Sequence, residues 1–191
     1  MAGRRAPELA DAALRLVSRD GLGALTFRAL AAEAGISLGA VQKAFASKEE
    51  LLDAVVARAR DQVVLDQARE PGRPTLRAWL LELVIATLPL DDARRSATIV
   101  GVALADRAPF DPELAGSLAA GDRELRGRIA LLAGRAIAEG EVARTVVPDL
   151  VAGAVLALMA GLAGQLLYDP RPELEVRAVV DAALAGMLPA A

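Results

Sequence analysis

Residues Gly35-Ile36-Ser37-Leu38-Gly39 spell Gly-x-Ser-x-Gly, the pattern in which a hydrolase presents a nucleophilic serine at a strand-to-helix turn. That chemistry needs a strand before the serine, a helix after it and a base within hydrogen-bond reach. The chain meets neither the structural nor the chemical condition. Phe27, Leu30, Ala31 and Ala34 recur at helical spacing ahead of the motif, and no histidine exists to complete a Ser-His-acid arrangement. Cysteine is absent too, which excludes disulfides, thiolate chemistry and the usual zinc or iron ligand sets. No catalytic residue, metal site or cofactor is expected, and a hydrolase built on Ser37 stands only as a weak alternative.

The same residues read well as a corner between two helices. Gly35 can take the left-handed conformation that stops a helix, Ser37 can cap the next one, and Ile36 can anchor the corner in a core. On the helix that follows, Leu38, Val41 and Phe45 make an inward stripe, leaving Gly39, Ala40, Gln42, Lys43 and Ala46 outward. A short helix with a small, polar and basic outer face suits a DNA major groove.

Apolar residues recur at helical spacing through nearly the whole chain, and no run of alternating residues is bounded by hairpin turns. The reading is all-α. Gly and Pro punctuation marks about nine helices, near 6–20, 27–34, 38–45, 48–69, 74–88, 92–107, 112–139, 148–168 and 173–188. The first three are short and closely spaced, predicting a three-helix N-terminal domain over 1–47. A connecting helix over 48–69 then leads to a larger helical domain over 70–191. Ser47-Lys48-Glu49-Glu50 opens the connector as a capping box, with Glu50 expected to reach back to the cap amide.

Charge is distributed unevenly between these parts. Residues 1–48 hold Arg4, Arg5, Arg15, Arg19, Arg28, Lys43 and Lys48 against Glu8, Asp11, Asp20 and Glu33, a surplus of three positive charges in a chain of net charge -3. A basic N-terminal part joined to an acidic remainder suggests that the N-terminal part meets a polyanion. From Leu150 to Tyr168 the sequence runs nineteen residues without a charge, close to the length of a membrane span. It is bounded by Asp149 and Asp169 and contains several glycines and Gln165, so a helix buried between its own bundle and a second subunit is the favoured reading. A membrane-anchored interaction protein is the alternative. The N-terminus mixes Arg4 and Arg5 with Glu8 and Asp11 and has no uninterrupted apolar run of the signal-peptide kind, so a cytoplasmic location is expected.

The stretch "ALTFRALAAEAGISLGAVQKAFASKEELLDAVV" resembles the helix-turn-helix of the TetR/AcrR family of transcriptional regulators, and the similarity spans roughly residues 5 to 60. Gly-Ile-Ser-x-Gly, then Phe45 and Ser47-Lys48-Glu49, carry the resemblance. It implies an all-helical homodimer in which the first three helices bind a double-stranded DNA operator and a divergent C-terminal domain binds a small-molecule inducer. It also implies that helices 148–168 and 173–188 form the dimer interface. One departure stands out: Gln42 and Ala44 occupy places where family members often carry Tyr and His. Gln42 can replace a phosphate contact or read adenine through its amide.

Within that reading Lys43 and Lys48, the two lysines of the chain, are the best phosphate contacts. Thr26 and Arg28 open the second helix and can hold the DNA backbone, while Ser37, Leu38, Gly39 and Ala40 lie against the groove. Arg4 and Arg5 can form a minor-groove arm or a plain tail. For the inducer, Trp79, Phe110 and Tyr168 are candidate pocket walls, with Gln165 or Thr98 as polar handles. The inducer's identity, the operator sequence and the target genes are not encoded in any motif of the chain.

Overall fold

The computed structural model describes residues 5–61 and 74–191, which form helices, turns and connections with no strand among them. The α-helices are α1 (Arg5–Asp20), α2 (Phe27–Glu33), α3 (Leu38–Ala44), α4 (Lys48–Asp61), α5 (Leu76–Thr87), α6 (Asp92–Arg107), α7 (Pro112–Ala138), α8 (Pro148–Tyr168) and α9 (Glu173–Met187). Single 3-10 turns at Leu22–Ala24 and Ala108–Phe110 join α1 to α2 and α6 to α7. The expected 48–69 connector is seen as far as Asp61, and its remainder lies outside the described residues, as does Arg4.

Most helix starts are fixed by one oxygen-bearing side chain. Thr26, Ser37, Ser47, Thr75, Asp91 and Asp111 each accept from the backbone N–H three residues on, at 2.8–3.2 Å. Each bond satisfies one of the amides a helix start leaves without a partner. Glu50 departs from the expected capping box: its carboxylate accepts from the Ala46 N–H at 2.6 Å rather than from the cap residue's own amide.

α2 ends as a Schellman turn. Ile36 N–H donates to the Ala31 carbonyl at 3.0 Å and Gly35 N–H to the Ala32 carbonyl at 3.2 Å, with Gly35 at φ 65°. That left-handed backbone is where a side chain would add strain.

The chain divides into two compact units, one of Met1–Val64 with Asp91–Leu118, the other of Leu65–Leu90 with Ala119–Ala191. This division interleaves the sequence, unlike the linear boundaries at 47 and 70 that helix lengths suggested. Val100 and Leu104 of α6 and Leu114 of α7 are buried in one cluster with Leu16, Val17, Leu25, Leu30, Val41, Phe45 and Val55. Periodicity tells that α6 has an apolar face; it does not tell which helix that face meets, here α1.

The second unit is cored by Leu80, Leu83 and Ile85 of α5, Ile129 and Ala133 of α7, Val151 and Val155 of α8, and Val180 and Leu184 of α9. Arg77 forks onto Asp181 at 2.6 and 2.8 Å, and Arg177 onto Glu82 at 2.8 and 3.0 Å, tying α5 to α9.

Candidate nucleic-acid interface

α3 is seven residues long, too short to hold its shape alone, so its neighbours must hold it. Val41 and Phe45 are fully buried on its inner side. Each such side chain contributes about 1.5–3 kcal/mol of apolar burial. The inward stripe expected of Leu38, Val41 and Phe45 holds for the last two. Leu38 is 37% exposed, because it is the first helical residue and Ile36, ahead of the helix, packs on the core instead.

The outer side of α3 is correspondingly open. Gly39, Gln42 and Lys43 are exposed and Ala40 is half-buried. A Cβ built on Gly39 meets nothing within 4 Å, so the fold itself does not require glycine there. The Ser37 hydroxyl accepts from Ala40 N–H at 3.2 Å and the Thr26 hydroxyl from Ala29 N–H at 3.1 Å. Both groups retain their own O–H as a donor.

Ion pairing separates two kinds of cation in this part of the chain. Arg15 and Arg19 of α1 converge on Glu33 at 3.5 and 3.1 Å, Arg19 also meets Asp20 at 2.8 Å, and Arg58 forks onto Asp11 at 2.7 and 3.1 Å. The Asp20 and Glu33 carboxylates raise the basicity of Arg19 above that of a free guanidinium. Arg28, Lys43 and Lys48 have no ion-pair partner among the described residues. All three belong to α2, α3 and the start of α4, the elements that frame the corner. Beside Lys48, Glu49 accepts from its own N–H and from the Ser47 hydroxyl, which holds its carboxyl below the usual range. That bonding keeps Glu49 at the positive end of α4. Neither the Arg15/Arg19–Glu33 cluster nor the Glu50–Ala46 bond was visible in the sequence, since both depend on how the chain turns.

Thr98 and Phe110 belong to one compact unit and Trp79, Gln165 and Tyr168 to the other. The Thr98 hydroxyl donates to the Arg94 carbonyl at 2.8 Å, while Phe110 and Tyr168 are 87% and 78% exposed. Gln165 is exposed as well. Trp79 alone of the aromatics packs, half-buried, on the core of the second unit. Rarity of aromatics in a sequence marks them out, yet it carries no information on which surface they join.

Residues 9–55 match the profile described as bacterial regulatory proteins, tetR family, and residues 75–189 that of the BetI-type transcriptional repressor C-terminal domain. The chain is 28% identical over 170 residues to the HTH-type nicotine-responsive transcriptional repressor HdnoR of Paenarthrobacter nicotinovorans, covering 87% of this chain and 85% of the relative. Among solved structures, a transcriptional regulator from Rhodococcus sp. Rha1 superposes with a TM-score of 0.78 at 25% identity, over 95% of each chain. A putative transcriptional regulator from Saccharomonospora viridis, solved in complex with choline, gives 0.81 at 21% identity over 97% of this chain and 98% of that one. With the helix-turn-helix geometry, the free cations around it and both halves of the chain matched, the protein belongs to the TetR family of DNA-binding transcriptional regulators.

Proposed function

We propose that the protein is a homodimeric, ligand-responsive repressor that sets α3 of each subunit in the major groove of one half of a palindromic operator. Half-sites one helical turn apart, roughly 34–36 Å, suit two copies of one reading head. Lys43 and Lys48 contact phosphates, Thr26 and Arg28 hold the backbone at the start of α2, and Ser37, Leu38, Gly39, Ala40 and Gln42 line the groove. The observation that carries this reading is the segregation of charge: Arg28, Lys43 and Lys48 have no carboxylate partner among the described residues, while Arg15, Arg19 and Arg58 are paired. Cations without a carboxylate partner are available to displace counterions from DNA.

Dimerisation through α8 and α9 accounts for surfaces that one subunit leaves open. α8 is long and apolar enough to cross a membrane, and only 22% of its most apolar window is buried within the subunit. Leu150, Ala157, Ala160, Gly161 and Tyr168 of α8 and Leu174, Ala178, Val179 and Ala182 of α9 remain exposed. Val151, Val155 and Leu166 on the same α8 are buried against the unit's core. A helix with one face in its own core and another apolar face exposed fits a subunit interface better than a lipid span.

Similarity to a nicotine-responsive repressor supports control by a small molecule, held in the second unit beside Trp79. Binding there would favour a conformer with altered recognition-helix separation, transmitted through α4. A cytoplasmic location follows from the DNA-binding role. The deciding experiment is a titration of the purified protein against the intergenic DNA upstream of its own gene. Salt-sensitive binding with a two-fold footprint is expected, and failure to bind any of that DNA in a salt-dependent way overturns the reading.

A further inference from the structure

The outer side of α3 limits which base edges the helix can recognise. Guanine is most often read by an arginine or lysine fork and cytosine by a carboxylate. α3 carries no arginine and no carboxylate, and its one lysine, Lys43, lies in the last turn, away from the start of the helix. What it offers outward is the Gln42 amide, the Lys43 ammonium and the apolar surfaces of Leu38 and Ala40. With roughly 100° per residue, Leu38 and Gln42 share one flank, one turn apart, and Ala40 and Lys43 share the other. Gly39 stands between the flanks with open space where a side chain would be. The residues at the start of a recognition helix meet base edges. Lys43, in the last turn, is placed for phosphate instead.

Leu38 is the informative residue. It is a large apolar side chain at the start of the helix, 37% exposed although Val41 of the same helix and Phe45 just after it are buried. In the major groove the apolar group a base presents is the thymine C5-methyl, and the group that an amide pairs with in a two-bond fork is adenine N6/N7.

We propose that the Leu38–Gln42 flank reads adjacent A·T pairs, with Leu38 against a thymine methyl and Gln42 forked onto an adenine of the neighbouring pair. The centre of each half-site is then specified by A·T pairs and not by guanine. This rests on the operator-binding reading above and names the chemistry of that contact.

The test begins by selecting duplexes from a random pool with the full-length protein. In the selected site, each thymine is replaced in turn by uracil, which removes only the methyl, and each adenine by 7-deazaadenine, which removes N7. One thymine per half-site is expected at which uracil weakens binding roughly fourfold. One neighbouring adenine is expected at which 7-deazaadenine weakens it roughly five- to tenfold. The uracil effect should vanish in Leu38→Ala and the 7-deazaadenine effect in Gln42→Ala. Leu38 and Gln42 are exposed, so matching thermal unfolding curves are expected and confirm that the variants are folded. Selected sites centred on guanine, insensitive to uracil, would overturn this inference while leaving a DNA-binding regulator in place. A pool with no enriched sequence would overturn the operator-binding reading, and the inference with it.

Discussion

Replacing Lys43 by alanine should change the salt dependence of DNA binding by an amount set by symmetry. Lys43 is exposed in the last turn of α3 and has no ion-pair partner among the described residues. A dimer bound to both half-sites places two such lysines on phosphates. Each phosphate neutralised contributes about 0.9 to the slope of log affinity against log salt, so Lys43→Ala should lower the slope by about 1.8. Between 50 and 200 mM salt this makes the variant's loss of affinity roughly twelvefold smaller than that of the parent protein. Removing Arg28, Lys43 and Lys48 together should lower the slope by about 5.4. The assay is fluorescence anisotropy of a labelled operator duplex over a series of potassium chloride concentrations. Arg15→Ala is the control, because its guanidinium sits 3.5 Å from Glu33, and its slope should stay near that of the parent. Stability of Lys43→Ala should lie within about 0.5 kcal/mol of the parent, as for surface positions without partners. A Lys43→Ala slope equal to the parent's, or an Arg15→Ala slope reduced as much, would refute the argument that pairing sorts the cations.

Gly39→Ala should separate stability from DNA binding. The helix gains about 0.5–1 kcal/mol and melts roughly 1–4 °C higher, since the new methyl meets nothing in the protein, while operator affinity falls several-fold; unchanged affinity would show that close approach of the helix is unused. Asp91 accepts from the Arg94 amide and guanidinium, and its carboxyl is held below the ordinary value of 3.8, with the amide bond the larger cause. A depressed folded pKa adds stability above the unfolded value and loses it as pH falls through the folded one, so the advantage of the parent over Asp91→Asn in urea unfolding should be full at neutral pH and shrink as the pH falls below the ordinary carboxyl value of 3.8. Ala157→Arg, at an exposed point of α8, should leave the subunit folded but shift sedimentation from dimer to monomer at micromolar concentration.

Helices with strong local signals were legible to within a residue or two. Ser37 and Gly35 bracket the corner, and both do so through bonds spanning five residues or fewer. Thr75 and Asp91 mark starts in the same way. What local signals cannot encode is partnership. α6 reads as one more helix of the C-terminal part, yet Val100 and Leu104 complete the N-terminal core. Leu38 fits the inward period of α3 and is still 37% exposed, while Ile36, ahead of the helix, packs partly buried against the core. Residue type singles out Phe110 and Tyr168, and type alone carries no information on burial: both are exposed in the single subunit.

The cap, the turn and the buried side chains that hold α3 against its neighbours come from Ser37, Gly35, Val41 and Phe45, while the side chains of Gln42 and Lys43 are exposed and Gly39 has none. On the operator-binding reading proposed above, target choice and foldedness fall to largely separate residues of this one corner. Substitutions at the outward positions would then retarget the protein in single steps, each tolerated by the fold. A lineage carrying this corner can therefore explore new operators without passing through unfolded intermediates, a freedom that a reading head braced by its own contact residues would lack.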